Sequence, residues 1–341
     1  MKIDFRAFAQ AAAESGLGAS VVPVVEKEIV HYEILRSLSE GGFLSALNFQ
    51  GGTCLRMCYG GQRFSEDLDF SAGENYGELD WDAMAERLSC DLLKSFDVNV
   101  RVRKPQEKQF QSGVDMKRLT VVIDTAPARP DLPSQKVKLE ICSVPSYTRK
   151  PRLLSVNYPG LPDSYGNILV SCQSPQEILA DKIVSFANTP DYIRYRDLWD
   201  MSWLMGGFDC ASSTLSELVL KKASDYGCVD PVLRLLDNGS DLALTTLESE
   251  EFSSQMRRFL PKDVYAKTMA RDGFLDAMKD RIEGLYGEVA EEVALKIGNE
   301  TLEAQAREHQ LLGSVEAEPV QGRSQVVPRA RHATLCEPPA Q

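Results

Sequence analysis

Asp67 and Asp69 stand one residue apart, and a Gly51-Gly52-Thr53 turn precedes them in the run GGTCLRMCYGGQRFSEDLDF at 51–70. On a strand, positions i and i+2 project from the same face, so the two carboxylates converge. Converging carboxylates repel unless protons or a cation lie between them. Magnesium suits that position, because it is hard and is commonly held by one or two carboxylates plus substrate phosphates. The glycine pair supplies the complementary half. Backbone N–H groups at the start of a helix bind anions, and Thr53 adds a hydroxyl. A nucleoside triphosphate seated on the turn and bridged by metal to Asp67 and Asp69 accounts for both ends. Either motif alone reads more simply as a tight turn or as a solvated edge strand. The order strand, GGT, helix, loop, DxD strand favours the chemistry.

Further residues extend the pattern. Glu140 and Lys138 share the polar face of KVKLEI, whose other face carries Val137, Leu139 and Ile141. A third carboxylate there can bind a second ion or take the proton of an attacking hydroxyl, and Lys138 can neutralise phosphate. In SPQEILADKIVSFA, Ser174 and Glu177 read as a capping box with Pro175 at the first helical position. Lys182 falls inside the apolar stripe of Ile178, Leu179, Ile183 and Phe186. A lysine so placed snorkels to solvent or meets a partner. In RYRDLWDM, Asp197 and Asp200 share a helical face, and Arg196 is spaced to pair with Asp200.

The elements that must position these residues follow from periodicity. A helix is predicted over 21–40, with Val25, Ile29, Ile34, Leu35 and Leu38 inward and Gly41-Gly42 as its stop. Strands are predicted at 47–50, 66–70, 98–103, 118–124 and 136–141, and helices at 53–59 and 81–96. From 174 to about 312 the chain reads as helical. The result is an α/β (α+β) protein with a mixed sheet and helices packed on it.

The chain has 341 residues and a formal charge of −12, which argues against a protein that coats nucleic acid all over. Residues 94–152 depart from that average, with thirteen Lys/Arg against six Asp/Glu. A basic region of this kind suits a polyanionic ligand or, equally, a solvated surface. No apolar run is long enough to span a membrane, and the N-terminus reads as no secretion signal. The eight cysteines form no CxxC pair, so reduced thiols in the cytoplasm are expected rather than structural zinc.

These residues carry a resemblance. The run GGT…YGGQRFSEDLDF resembles the signature of nucleotidyltransferase toxins of the AbiEii abortive-infection type, within the DNA polymerase beta-like superfamily. Arg63 to Phe70 match its R-F-S-E-D-[IL]-D-F run, KVKLEI fits its third motif with Glu140 where Asp is common, and 174–201 is similar to its later helical segment. The resemblance implies a polymerase beta-like core over 1–170 followed by a mainly helical C-terminal domain over 171–312. It implies catalysis by Asp67, Asp69, Glu140, Lys182 and one of Asp197 and Asp200. Magnesium would lie on Asp67, Asp69 and Glu140, and the nucleotide on Gly51, Gly52, Thr53, Arg63, Lys138 and Lys182. It also implies an NTP substrate, an antitoxin encoded nearby, and an acceptor that in some relatives is the 3′ end of tRNA. Transfer to a protein or small molecule, and a non-enzymatic nucleotide-binding module, are the alternatives.

From Gly313 the composition turns to Pro, Ala, Ser and Gln without an apolar period, as in a disordered tail over 313–341. Deleting 313–341 is expected to leave the melting temperature and activity within error. A large drop in a thermal scan would move the boundary.

Overall fold

The structure, a computed structural model, describes residues 5–12, 22–96, 99–109, 114–124, 134–188, 192–228 and 232–315. Val98, the expected start of a strand, and residues 316–341 of the expected tail lie outside the described residues. The chain through Leu295 forms one compact unit, and the residues from Lys296 form a second.

Helices α1 (Phe5–Ala12) and α2 (Val22–Glu40) come first. In α2 the expected apolar positions Val25, Ile29, Ile34, Leu35 and Leu38 are fully buried. Glu28 and Glu33 are buried beside them, each with partners. Arg56 Nε lies 3.0 Å from Glu28 Oε1, with the Tyr158 hydroxyl also donating to Glu28, and Arg36 and Tyr165 donate to Glu33. Gly42, at φ 77°, lets the chain reverse after the helix.

Seven strands make one mixed sheet. They are β1 (Asn48–Gln50), β2 (Leu68–Ser71), β3 (Asn99–Gln109), β4 (Asp115–Asp124), β5 (Gln135–Cys142), β6 (Arg149–Leu153) and β7 (Leu169–Gln173), in the order β3-β4-β5-β2-β1-β7-β6. Between β1 and β2 lies α3 (Gly51–Cys58), and between β2 and β3 lies α4 (Trp81–Ser95). Central β2 runs antiparallel to β1 and parallel to β5, which sets Gln50 against Asp69 and Asp69 against Glu140. Alternation along β5 buries Val137, Leu139 and Ile141 and leaves Lys138 and Glu140 partly open. Phe49 and Phe70 stack at 4.9 Å beneath the junction of β1 and β2.

Strands β6 and β7 are absent from the sequence reading. Every residue of β6 is exposed and it contains Pro151, so it shows no alternation and sits at the sheet edge, where a proline is tolerated. The boundary expected at 170/171 falls inside β7, which pairs with both β6 and β1.

The remaining elements are α5 (Pro175–Ala187), α6 (Tyr195–Gly207), α7 (Ser212–Asp225), α8 (Val232–Leu247), α9 (Glu250–Phe259), α10 (Lys262–Lys267) and α11 (Phe274–Val315). Ser174 caps α5 by accepting the Glu177 N–H at 3.2 Å. The capping box is only half formed, because the Glu177 side chain turns elsewhere. That carboxylate is fully buried, accepts the N–H groups of Tyr147 (3.0 Å) and Thr148 (2.7 Å), and pairs with Lys222 at 3.0 Å. Thr148 Oγ1 accepts the Ser174 N–H in its place, at 3.0 Å. The start of α5 is thereby fixed against α7 and the loop after β5.

Candidate active site

The extended β1 passes directly into α3, and Gly51 makes the corner at φ 73°. A Cβ on Gly51 would meet Asp69 Oδ2 at 2.7 Å, and one on Gly52 would collide with Arg63 Nη2. The two glycines thus have separate steric reasons. The first lets a carboxylate lie against the helix start, and the second lets a guanidinium pack behind it.

A cleft of about 700 Å³ opens in front of this turn. Gly51, Gly52, Arg63, Asp67, Asp69, Lys138, Glu140, Lys182 and Asp197 line it, and Thr53 and Asp200 do not. Asp67 accepts the Lys138 backbone N–H at 3.2 Å on Oδ1, and Lys138 Nζ lies 3.5 Å from Oδ2. Asp69 is half-buried and its pKa is raised to about 7. Loss of hydration is the first cause, followed by the negative charges of Glu140 and Asp67. A carboxyl that resists ionisation beside two further acids is a donor set suited to a hard divalent cation, so these residues fit magnesium.

Several expected roles change in detail. The Thr53 hydroxyl is fully buried and donates to the Asp67 carbonyl, so it braces the acid strand instead of facing a phosphate. Glu140 enters the cleft but is bonded to Arg118, whose Nε donates to Oε1 at 2.6 Å. Among the described residues, the oxygens of Asp67, Asp69 and Glu140 do not all gather within 4.8 Å of one another. Arg63 is 5% exposed and turned inward, with Nε 2.6 Å from Asp200 Oδ1 and Nη1 donating to the Phe64 carbonyl at 2.9 Å.

Lys182 neither snorkels nor stands open. Its Nζ lies 2.5 Å from Asp197 Oδ1 and 2.8 Å from Asp200 Oδ2. Burial works against its charge, but the Asp197 and Asp200 carboxylates outweigh it and raise its pKa. Asp200, between Arg63 and Lys182, is held below the usual carboxylate range despite burial. Arg196 does not pair with Asp200 as its spacing suggested. It lies 3.6 Å from Glu66 and stacks over Phe259. Arg118, Asp181, Arg194, Arg196 and Tyr226 also line the cleft and were not anticipated. Arg118 sits opposite Glu140 in the β4–β5 register, and that register is set by strand pairing, which no local motif announces.

A glycine turn opening a helix beside a DxD strand of a mixed sheet, over a cleft rich in cations, defines a nucleotidyltransferase. The chain belongs to the AbiEii family, described as "Nucleotidyl transferase AbiEii toxin, Type IV TA system", whose model matches residues 33–309. That family implies an NTP substrate and an antitoxin partner. Among solved structures, MenT4, a nucleotidyltransferase toxin from Mycobacterium tuberculosis H37Rv, is similar at a TM-score of 0.50 and 18% identity, covering 83% of this chain and 89% of that one. JHP933 from Helicobacter pylori matches at a TM-score of 0.40 and 16% identity, covering 83% and 97%. A search of curated proteins gave no significant match.

Two predictions follow from the geometry. Because Asp69 holds its proton more tightly folded than unfolded, its contribution to stability is present below the unfolded value of ~3.9 and is lost as pH rises towards 7. Asp69→Asn is therefore expected to raise the melting temperature of metal-free protein at pH 8 and to leave it unchanged at pH 4. Lys182→Met leaves Asp197 with the longer 3.7 Å contact to Arg194 and takes from Asp200 one of its two cations, and is expected to cost about 3–5 kcal/mol in urea unfolding, with Lys182→Arg costing much less. A stability-neutral Lys182→Met would show that the network contributes nothing to folding.

Proposed function

We propose that this chain transfers a nucleoside monophosphate from an NTP to the 3′ end of tRNA in the cytoplasm. The transfer blocks translation and arrests growth, in the manner of phage defence by abortive infection, until a cognate antitoxin neutralises the enzyme. The observation that carries this reading is the close approach of the Asp69 carboxylate to the helix start at Gly51, which joins a phosphate seat to a metal-binding acid in one cleft.

The N–H groups at Gly51 and Gly52 and the Lys138 and Lys182 ammonium groups receive the triphosphate. Arg63 holds the turn from behind. Magnesium, held by Asp67 and Asp69 with Glu140 beside them, supplies charge neutralisation at the phosphates. The acceptor hydroxyl attacks the α-phosphorus, its proton passes to a cleft carboxylate, and the bond to the β-phosphate oxygen breaks to release pyrophosphate. The tRNA acceptor rests on the resemblance of the 51–70 and 174–201 runs, and on the arginines 118, 194 and 196 around the cleft, which suit a polyanion.

The test is to incubate the protein with magnesium, each labelled NTP in turn and total cellular RNA. Label is expected at tRNA 3′ ends and is expected to vanish with EDTA and with folded Asp67→Ala or Asp69→Ala. Label on protein or on a small molecule would overturn the acceptor, and no transfer from any NTP would overturn the whole reading.

A further inference from the structure

Cys54 and Cys58 stand one turn apart on α3, and Cys172 stands on β7 opposite Phe49 of β1. The three are scattered in sequence, yet all are buried and their sulfurs lie within 4.8 Å of one another. Among the described residues, no other three His, Cys, Asp or Glu side chains bring their ligand atoms together in this way.

A buried cysteine ordinarily packs as a small apolar residue among its own neighbours. Three sulfurs within 4.8 Å of one another can instead serve as a ligand set. Around a tetrahedral zinc with Zn–S of about 2.3 Å, sulfurs stand roughly 3.8 Å apart, so the observed spacing closes onto an ion with sub-ångström to ångström movement. With sulfur donors alone, the cluster selects a thiophilic ion and rejects magnesium, the reverse of the preference at Asp67 and Asp69. Charge selects further. Three thiolates and a divalent ion leave one negative charge, and the Arg152 guanidinium, which acts on both Cys58 and Cys172, offsets it. A monovalent ion would leave an additional buried charge. Cys58, at 8% exposed, gives the cluster its edge towards solvent, where a water can complete the tetrahedron.

We propose that Cys54, Cys58 and Cys172 form a three-thiolate zinc-type site, open to water at its fourth position, that ties α3 to β7 behind the Gly51–Gly52 turn. On binding, the thiols release their protons to solvent and the sulfurs bond the ion, with no change of oxidation state. Since β1 runs without a break into α3, the ion would fasten both sides of the corner that Gly51 makes. The site is independent of the acceptor and of the nucleotide.

The experiment uses the full chain, reduced and stripped of metal with a chelator, titrated with Co(II). One equivalent should produce thiolate-to-cobalt charge-transfer absorption, Zn(II) should abolish it, and Zn(II) should raise the melting temperature. Cys58→Ala, checked for folding by circular dichroism, should weaken zinc binding at least about tenfold. Cys90→Ala, at an exposed cysteine, and Asp69→Asn should both keep the band. A folded wild-type chain without the band overturns the proposal, which holds as a test even where the cysteine variants fail to fold. So does a band that survives in both Cys58→Ala and Cys172→Ala, or one that disappears with Cys90→Ala.

Discussion

Arg63, Asp200, Lys182 and Asp197 carry two positive and two negative charges into a space where each residue is only 3–8% exposed. Stripping water from any one of them alone costs several kcal/mol, and only mutual pairing makes the set tolerable. The pairing is also what joins distant parts of the chain. Arg63 belongs to the loop between α3 and β2, Lys182 to α5, and the two aspartates to α6. Asp200 is the hub, since it binds Arg63 on one side and Lys182 on the other. The Arg63 guanidinium packs where a Cβ on Gly52 would stand, so the Gly51–Gly52 turn rests against a side chain held by an ion pair to a residue more than a hundred positions later.

The acid side of the cleft is held by different means. Strand pairing puts Asp69 level with Glu140, the Thr53 hydroxyl fastens the Asp67 carbonyl, and the stacked Phe49 and Phe70 lie beneath. These are short-range, largely neutral restraints around groups that repel one another. The raised pKa of Asp69 comes first from its loss of hydration and then from the charges of Glu140 and Asp67. The cleft therefore combines a rigid apolar support, three acids of which Glu140 is paired with Arg118 and Asp67 lies by Lys138, and a margin of further arginine and lysine.

Much of this was legible in the sequence because it is local. The apolar face of β5 and the stripe of α2 form where periodicity places them, whereas α3 begins already at Gly51 and β2 starts at Leu68, so that of the two aspartates expected on one strand only Asp69 lies in it and Asp67 stands just before. What stayed hidden depends on which elements become neighbours. Arg118 meets Glu140 only through the β4–β5 register, and Glu177 abandons its capping box because Lys222 and the 146–148 loop arrive from elsewhere. Strand β6 was invisible because an exposed edge strand with a proline lacks alternation. The gathering of Cys54, Cys58 and Cys172 was invisible because only the parallel pairing of β1 with β7 creates it.

The span of the Asp200 hub has a consequence for the order of events during synthesis. A chain emerging from the ribosome exposes Gly51 and Asp69 early, but Glu140 must still pair beside them and Arg63 has no counter-charge until α6 is made. At about 5–20 residues per second, roughly 7–27 s separate Arg63 from Asp200. Through that interval the growing polypeptide holds a buried-type arginine without its partner, and for the first part of it the acid strand lacks its β5 neighbour. The four-charge network closes only when helix α6 has been made, so the order of the sequence sets the order in which this face of the cleft is assembled.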